Sequence, residues 1–363
     1  MVAPPGIADP SGESSLLKRK AVANETETGV VVLQRGGVPE SLHRVHVAVV
    51  GETGEWLAGC GDASFPTFLR SAAKPFQVLP LLDDGVAGSL GVTDEEIALC
   101  CGSHNGEPEH VSGVRALLAR GGLSEALLAC GAHPPMHDVE ARRLVEDGRI
   151  PERIHNNCSG KHAGMLLLAQ AHGWALDGYE KAGHPVQNRM QQELARWLGL
   201  PSEGLRTGVD GCGVVCFAAP LEAVARAFQR LGAAWARGES GPTRVVRAML
   251  DHPHRVAGTG RLCTEVLGAG AGRVLVKVGA EGVYGGLIRR PDDGVWGFAL
   301  KVEDGGRRAV EVALISILES LGALDEAALS ALSRWRPRAV RNTLGEPAGW
   351  LVPNLPLRWS EKG

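Results

Sequence analysis

The chain has 363 residues, and at about 150 residues per domain that length suits two domains or one large one with a sizeable core. Hydrophobic residues make up 44% and charged residues 22%, a balance that speaks against disorder and against a membrane protein. Lys and Arg number 38 against 41 Asp and Glu, a formal net charge of -3, and aromatic residues are 4% of the chain. No positive field holds a phosphate backbone and no stacking platform holds bases, so nucleic acid is not the expected partner.

Residues 1–28 are rich in Pro, Ser, Glu and Lys and lack the apolar run of a secretory signal, so they read as a flexible tail and the protein as cytoplasmic. Residues 29–34 and 44–50 carry β-branched runs with partial alternation, and residues 55–58 suit a third strand. From residue 71 to 172 the apolar spacing turns to threes and fours, predicting helices over 109–120, 139–146 and 160–171, followed by 185–198 and 217–237. Strand character returns at 273–277 and 295–302, and residues 307–321 predict one more helix. Strands at both ends around a helical middle predict an α+β fold, or a mixed α/β description of it, in which both termini complete one antiparallel sheet beside a helical lobe. No repeat or linker interrupts residues 29–356, which read as a single catalytic domain, and residues 357–363 read as a C-terminal tail. No stretch is apolar enough to span a membrane. The eight cysteines are too sparse for a disulfide scaffold and read as reduced thiols.

Four segments carry chemistry. In RSAAKP, residues 70–75, Pro75 is tolerated where early helical amides are free, so a helix is expected to begin near Ser71. Ser71 and Lys74 then share one face at i and i+3, a hydroxyl beside an amine that can activate it once burial lowers the pKa of the amine. The same pattern also suits a capping serine with a solvated lysine. In CCGSHNGE, residues 100–107, a helix gives way to a turn that can present Ser103 and Asn105 to a cleft; an Asn-Gly turn with a capping serine would look the same. In RVLVKVGAEG, residues 273–282, Lys277 lies late in an apolar strand and Gly279 lets a ligand approach the backbone, although an edge lysine could instead reach outward. Taken in order, S-x-x-K, S-x-N and K-x-G repeat the three-part pattern of penicillin-recognising serine enzymes and point to acyl transfer, without choosing among lactam, peptide and simple amide.

The fourth segment, HNNCSGKH at 155–162, looks like a phosphate loop, but His155 and Asn156 stand where its first glycine is needed, which excludes nucleotide binding. Cys158 and Lys161, with Cys212 in VDGCGVVC at 209–216, offer thiolates for zinc, although buried cysteines usually serve packing and lysine ligates only when neutral. His104, His155 and His162 are the more ordinary ligands.

The blocks LRSAAKPFQ, CGSHNGE, HNNCSGKHAGML, GVDGCGV and KVGAEGV, together with RNTLGEPAGW near the C-terminus, resemble the signature segments of the rhizobial-type L-asparaginases, a family distinct from the two threonine-dependent ones. The likeness runs from about residue 29 to 356. It implies a serine β-lactamase/glutaminase-like fold and hydrolysis of L-asparagine to L-aspartate and ammonia. It further implies Ser71 as nucleophile with Lys74 as its base, and Ser103 with Lys277 as a second pair. Arg70, Asn105 and Asp210 are then expected around the substrate. A Zn2+ site of Cys158, Lys161 and Cys212 is implied, with Cys263 and Asp210 near it, and so is a homodimer. Two other readings stand beside this one: a penicillin-recognising acyltransferase or β-lactamase, and a non-catalytic zinc or amino-acid binding protein. The need for a neutral lysine predicts an activity that falls as the pH drops.

Overall fold

The computed structural model describes residues 27–291 and 294–360. The expected tail over residues 1–28 therefore lies outside the described residues up to position 26. The main sheet contains β1 (Gly29–Arg35), β2 (Val38–Val50) and β3 (Trp56–Cys60) from the start of the chain. A second sheet contains β4 (Pro66–Phe68), β5 (Arg206–Val209) and β6 (Val215–Pro220) in the order β4-β6-β5. From the latter part of the chain the main sheet takes β7 (Val274–Gly279), β8 (Val283–Arg290), β9 (Gly294–Val302), β10 (Arg338–Arg341), β11 (Pro347–Asn354) and β12 (Arg358–Trp359).

The main sheet runs β10-β11-β1-β2-β9-β8-β7, with β3 on β2 and β12 on β3, and every pairing is antiparallel. Val31 lies opposite Pro353, and Val47 opposite Leu300, so the two ends of the chain interleave as the sequence suggested. The fold is α+β with a mixed helical complement. From Val45 to Val50 and from Val283 to Ile288 every residue is buried, where a one-sided sheet would alternate, so both faces are covered. Helix Leu221–Ala236 covers β2, β8 and β9. It lies so close that a Cβ at Gly297 would stand 2.2 Å from the Ala225 carbonyl oxygen and one at Gly285 2.1 Å from the Phe228 ring. Helix Arg307–Ser320 packs against β1, β8, β9 and β11.

The helical lobe is built on helix Ser159–Ala171, buried from Ser159 through Ala169 and held by helices Asp94–Cys101 and Pro108–Arg120. Three local expectations differ from what is observed. Residues 217–220 continue β6 instead of opening a helix, because Pro220 favours an extended residue before it and the helix starts at Leu221. The turn at Ser71 is a 3-10 helix, Arg70–Ala73, followed by one α-helical turn, Lys74–Gln77. Within the expected C-terminal tail, Arg358 and Trp359 pair with Gly59 and Ala58, while residues 361–363 lie outside the described ones. Among the described residues no helix is long and apolar enough to cross a membrane. All eight cysteines are free and buried.

Candidate active site

The end of β7 rests on the turn that carries Ser71. A Cβ at Gly279 would stand 2.5 Å from the Leu69 carbonyl oxygen, so only glycine lets strand and turn meet this closely. Arg70 between them has φ of 50°, a left-handed conformation unusual for a residue with a side chain. Its guanidinium Nε donates to Asp210 Oδ1 at 2.7 Å, which ties the turn to the loop after β5. Ser71 follows and lines a cleft of about 200 Å³ with Ser103, Asn157, Arg261, Glu281 and Tyr284. Sites for drug-sized ligands span ~300–1,000 Å³, so this cleft suits an amino acid.

Behind the cleft, two lysines converge on one hydroxyl. Lys277 is fully buried in β7, and its Nζ donates to Ser103 Oγ and to the Val278 carbonyl, both at 2.9 Å. Burial first, and the charge of Lys74 second, push the Lys277 amine down to about 7. A substantial share is therefore free base near neutrality, able to accept a proton from Ser103. Lys74 is also fully buried, and it reaches Ser103 Oγ at 3.3 Å, the Asn157 carbonyl at 3.3 Å and the Gly102 carbonyl. No hydrogen bond joins Lys74 to Ser71, and the Ser71 hydroxyl has no hydrogen bond to a described residue. Three acceptors from the segments at 102–103 and 157 draw the amine inward, although the spacing does set both residues on one short turn.

Asn105 stands one step back from the cleft. It is 1% exposed, its amide donates to Glu107 Oε1 at 2.7 Å and the Thr259 carbonyl at 2.9 Å, and its Oδ1 accepts from Arg261 Nη1 at 2.9 Å. Burial alone would raise the Glu107 carboxyl, but hydrogen bonds from Asn105 and Thr259 and the nearby His254 hold it at about 2. An ionised Glu107 thus fixes Asn105, and Asn105 fixes Arg261. His110 and His104 stack in series beside this network, His110 on His254 at 5.0 Å and His104 on His110 at 5.1 Å.

Cys158, Lys161 and Cys212 come together, with Lys161 Nζ 3.1 Å from Cys212 Sγ. A hydrogen bond from Cys212 draws the Cys158 thiol well below its ordinary value despite burial, helped by Lys74 and Lys161, and the Cys212 thiol is pushed up in return. Burial disfavours the Lys161 ammonium, yet the two sulfurs and Asp210 more than restore it. Among the described residues no three His, Cys, Asp or Glu side chains form a metal cluster. Two thiols and a lysine amine are nevertheless a donor set that zinc accepts once the amine is neutral, and the partial thiolate character of Cys158 suits it.

The imidazoles offered as more ordinary ligands each bond another group through at least one ring nitrogen, while the buried His162 Nε2 has no hydrogen-bond partner among the described residues. His104 Nε2 donates to Ser159 Oγ at 3.0 Å, His155 Nδ1 accepts from the Glu152 amide, and His162 Nδ1 bonds Tyr179 Oη at 2.6 Å. Cys263 lines the cleft and lies 4.0 Å from Tyr284 Oη. Arg70 is committed to Asp210 and neither lines the cleft, whereas Arg261 and Glu281, which sequence reasoning passed over, do. Glu281 stood inside a quoted block, and Arg261 follows a Gly-Thr-Gly turn ahead of helix Leu262–Ala269.

Among solved structures, one of Mglu in its tris and glutamate form is similar at 16% identity and a TM-score of 0.43, over 82% of this chain and 63% of that one. Another, of Mglu, is similar at 15% identity and a TM-score of 0.42, over 77% of this chain and 67% of that one. The chain thus spans 63% of the length of the first. A search of curated proteins found no match. The sequence matches the family described as L-asparaginase II over residues 31–353, and the chain belongs to that family.

Proposed function

We propose that the protein hydrolyses the side-chain amide of L-asparagine to L-aspartate and ammonia. The observation that carries this reading is Ser103 Oγ held between Lys74 and Lys277 in a cleft of amino-acid size that Ser71 also lines. Ser71, more open than Ser103, attacks the amide carbon. Its proton passes to Ser103, whose own proton goes to the neutral Lys277 amine. The resulting ammonium returns a proton through Ser103 to the leaving nitrogen, which departs as ammonia and leaves an acyl ester on Ser71. Water then adds to the ester by the same proton route, releasing L-aspartate and restoring both hydroxyls. Lys74 keeps Ser103 in register throughout by its bonds to Gly102, Asn157 and Ser103. Zinc, where bound, would be held by Cys158, Lys161 and Cys212 and would supply positive charge that orients a polar group of the substrate.

The test is ammonia release from L-asparagine and L-glutamine by wild-type protein, Ser71→Ala and Ser103→Ala. Turnover should vanish in Ser71→Ala and fall by ~10²–10⁴-fold in Ser103→Ala, the range for lost general acid and base catalysis. Because both lysines bond Ser103 and neither bonds Ser71, a second assignment makes Ser103 the nucleophile. Abolition in Ser103→Ala with turnover retained in Ser71→Ala would establish it. Release from neither amide by folded wild-type protein would overturn the amidohydrolase reading.

A further inference from the structure

The cleft has four charged side chains in its wall, and they divide into a neutralised pair and an open pair. Arg307 Nε donates to Glu311 Oε1 at 3.0 Å, and Glu311 Oε2 also accepts from Arg338 at 3.0 Å, so these charges are mutually satisfied. Arg261 has no carboxylate within ion-pair distance among the described residues. Its Nη1 is fixed by the neutral Asn105 Oδ1 at 2.9 Å and touches Met136 Sδ at 3.7 Å, which leaves Nε and Nη2 uncommitted. Glu281 likewise has no cation within ion-pair distance among the described residues, although Lys301 and Arg70 act on it from farther away. It sits in the turn between β7 and β8 with φ of 62°, a left-handed backbone that a charged, γ-extended residue rarely adopts. Its Oε2 lies where a Cβ on Gly305, another residue of the cleft wall, would meet it at 2.6 Å.

An unpaired guanidinium and an unpaired carboxylate in one small cleft are complementary to the two charges of a free α-amino acid. We infer that Arg261 receives the α-carboxylate and Glu281 the α-ammonium of the substrate, so that the site accepts free ω-amides of α-amino acids and rejects peptides, N-acylated amides and lactams. The inference rests on the amidohydrolase reading for its turnover assay, but the zwitterion contact itself does not. A guanidinium fork meets a carboxylate through two parallel hydrogen bonds. Asn105 holds one nitrogen and leaves the other two free, and the buried, ionised Glu107 holds Asn105 in turn. Asn105 is a positioning residue in this scheme, and Arg261 and Glu281 make the contacts.

Three amides separate the two charges: L-asparagine, 3-aminopropanamide, which lacks the α-carboxylate, and succinamate, which lacks the α-ammonium. Wild-type kcat/KM should favour L-asparagine over either truncated amide by about 100-fold, the scale set by leaving one charged partner unpaired. Arg261→Gln should lose most of that factor for L-asparagine, chiefly through KM, and leave 3-aminopropanamide unchanged. Glu281→Gln should do the same and leave succinamate unchanged. Arg261→Lys, which keeps the charge and loses the fork, should recover part of the loss and guards against a folding defect in the glutamine variant. Calorimetric binding of L-aspartate against succinate provides a readout without turnover: wild type should prefer L-aspartate, and Glu281→Gln should not. Equal losses on L-asparagine and 3-aminopropanamide in Arg261→Gln would overturn the assignment, as would an unchanged preference for L-aspartate in Glu281→Gln. Absence of ammonia release in wild type that still prefers L-aspartate would overturn the hydrolytic reading alone.

Discussion

Lys277→Met tests the electrostatics of the site through stability. The lysine is fully buried, and burial with the Lys74 charge lowers its amine from 10.5 to about 7. Between those two values the unfolded chain carries a proton that the folded one lacks, so this residue opposes folding there, and wild-type stability rises with pH across that window. Below about 7 both states are protonated and the contribution is constant. At ~1.4 kcal/mol per pH unit the penalty near neutrality is about 4–5 kcal/mol. Methionine removes it, fills a similar volume in an apolar strand, and forfeits hydrogen bonds to Ser103 Oγ and the Val278 carbonyl worth ~1 kcal/mol each. The variant should therefore be inactive yet more stable than wild type by about 2–3 kcal/mol at neutral pH, and the difference should shrink and change sign as the pH approaches ~10.5. Urea unfolding of both proteins at a series of pH values measures it. Stability curves that run parallel with pH, or a variant less stable at neutrality, would refute the assignment of a neutral buried amine.

Two further outcomes follow from the packing and from the sulfur cluster. Gly279→Ala puts a methyl group 2.5 Å from the Leu69 carbonyl oxygen and pushes β7 away from the Ser71 turn; a loss of ~1–3 kcal/mol in stability is expected. Ammonia release should fall further than the unfolded fraction explains, and unaltered kinetics would show that the approach of strand to turn is not needed. Cys158→Ser removes the sulfur with the most thiolate character, so zinc measured by elemental analysis after purification should drop from about one per chain to near zero. Equal zinc in wild type and variant would remove these three residues as its ligands.

Much of the architecture was legible because it depends on periodicity. Helix Pro185–Leu198 falls on the expected residues, and strands Gly29–Arg35, Val274–Gly279 and Gly294–Val302 lie where their apolar runs placed them, whereas Val283–Arg290, Arg338–Arg341 and Pro347–Asn354 went unmarked. Residues 217–220 misled the reading because the continuous apolar run to which they belong, VCFAAP at 215–220, has no period that separates a buried strand from a helix. The candidate site was legible in its residue types and illegible in its pairing. Spacing set Ser71 and Lys74 on one turn, yet the partners of the amine come from two loops that local pattern cannot bring together. Arg261 escaped for the same reason, since the Asn105 oxygen that aims it stands 156 residues away.

The two lysines are chemically alike, and the backbone around them makes them unlike. Lys74 is surrounded by two carbonyl dipoles in addition to Ser103. Lys277 has one carbonyl and the same hydroxyl, and it faces the positive charge of its neighbour. The Ser103 hydroxyl oxygen accepts from both amines, and the amine that burial pushes down, Lys277, is the one able to take the hydroxyl proton. Ser103 is thus held by both amines before any substrate arrives, and the lowered Lys277 amine gives a proton leaving the cleft its direction in the proposed route. A single serine and lysine pair would leave that direction to the substrate. The second lysine, costly to bury, makes it a property of the fold, which is why a stability measurement on Lys277 bears directly on the chemistry.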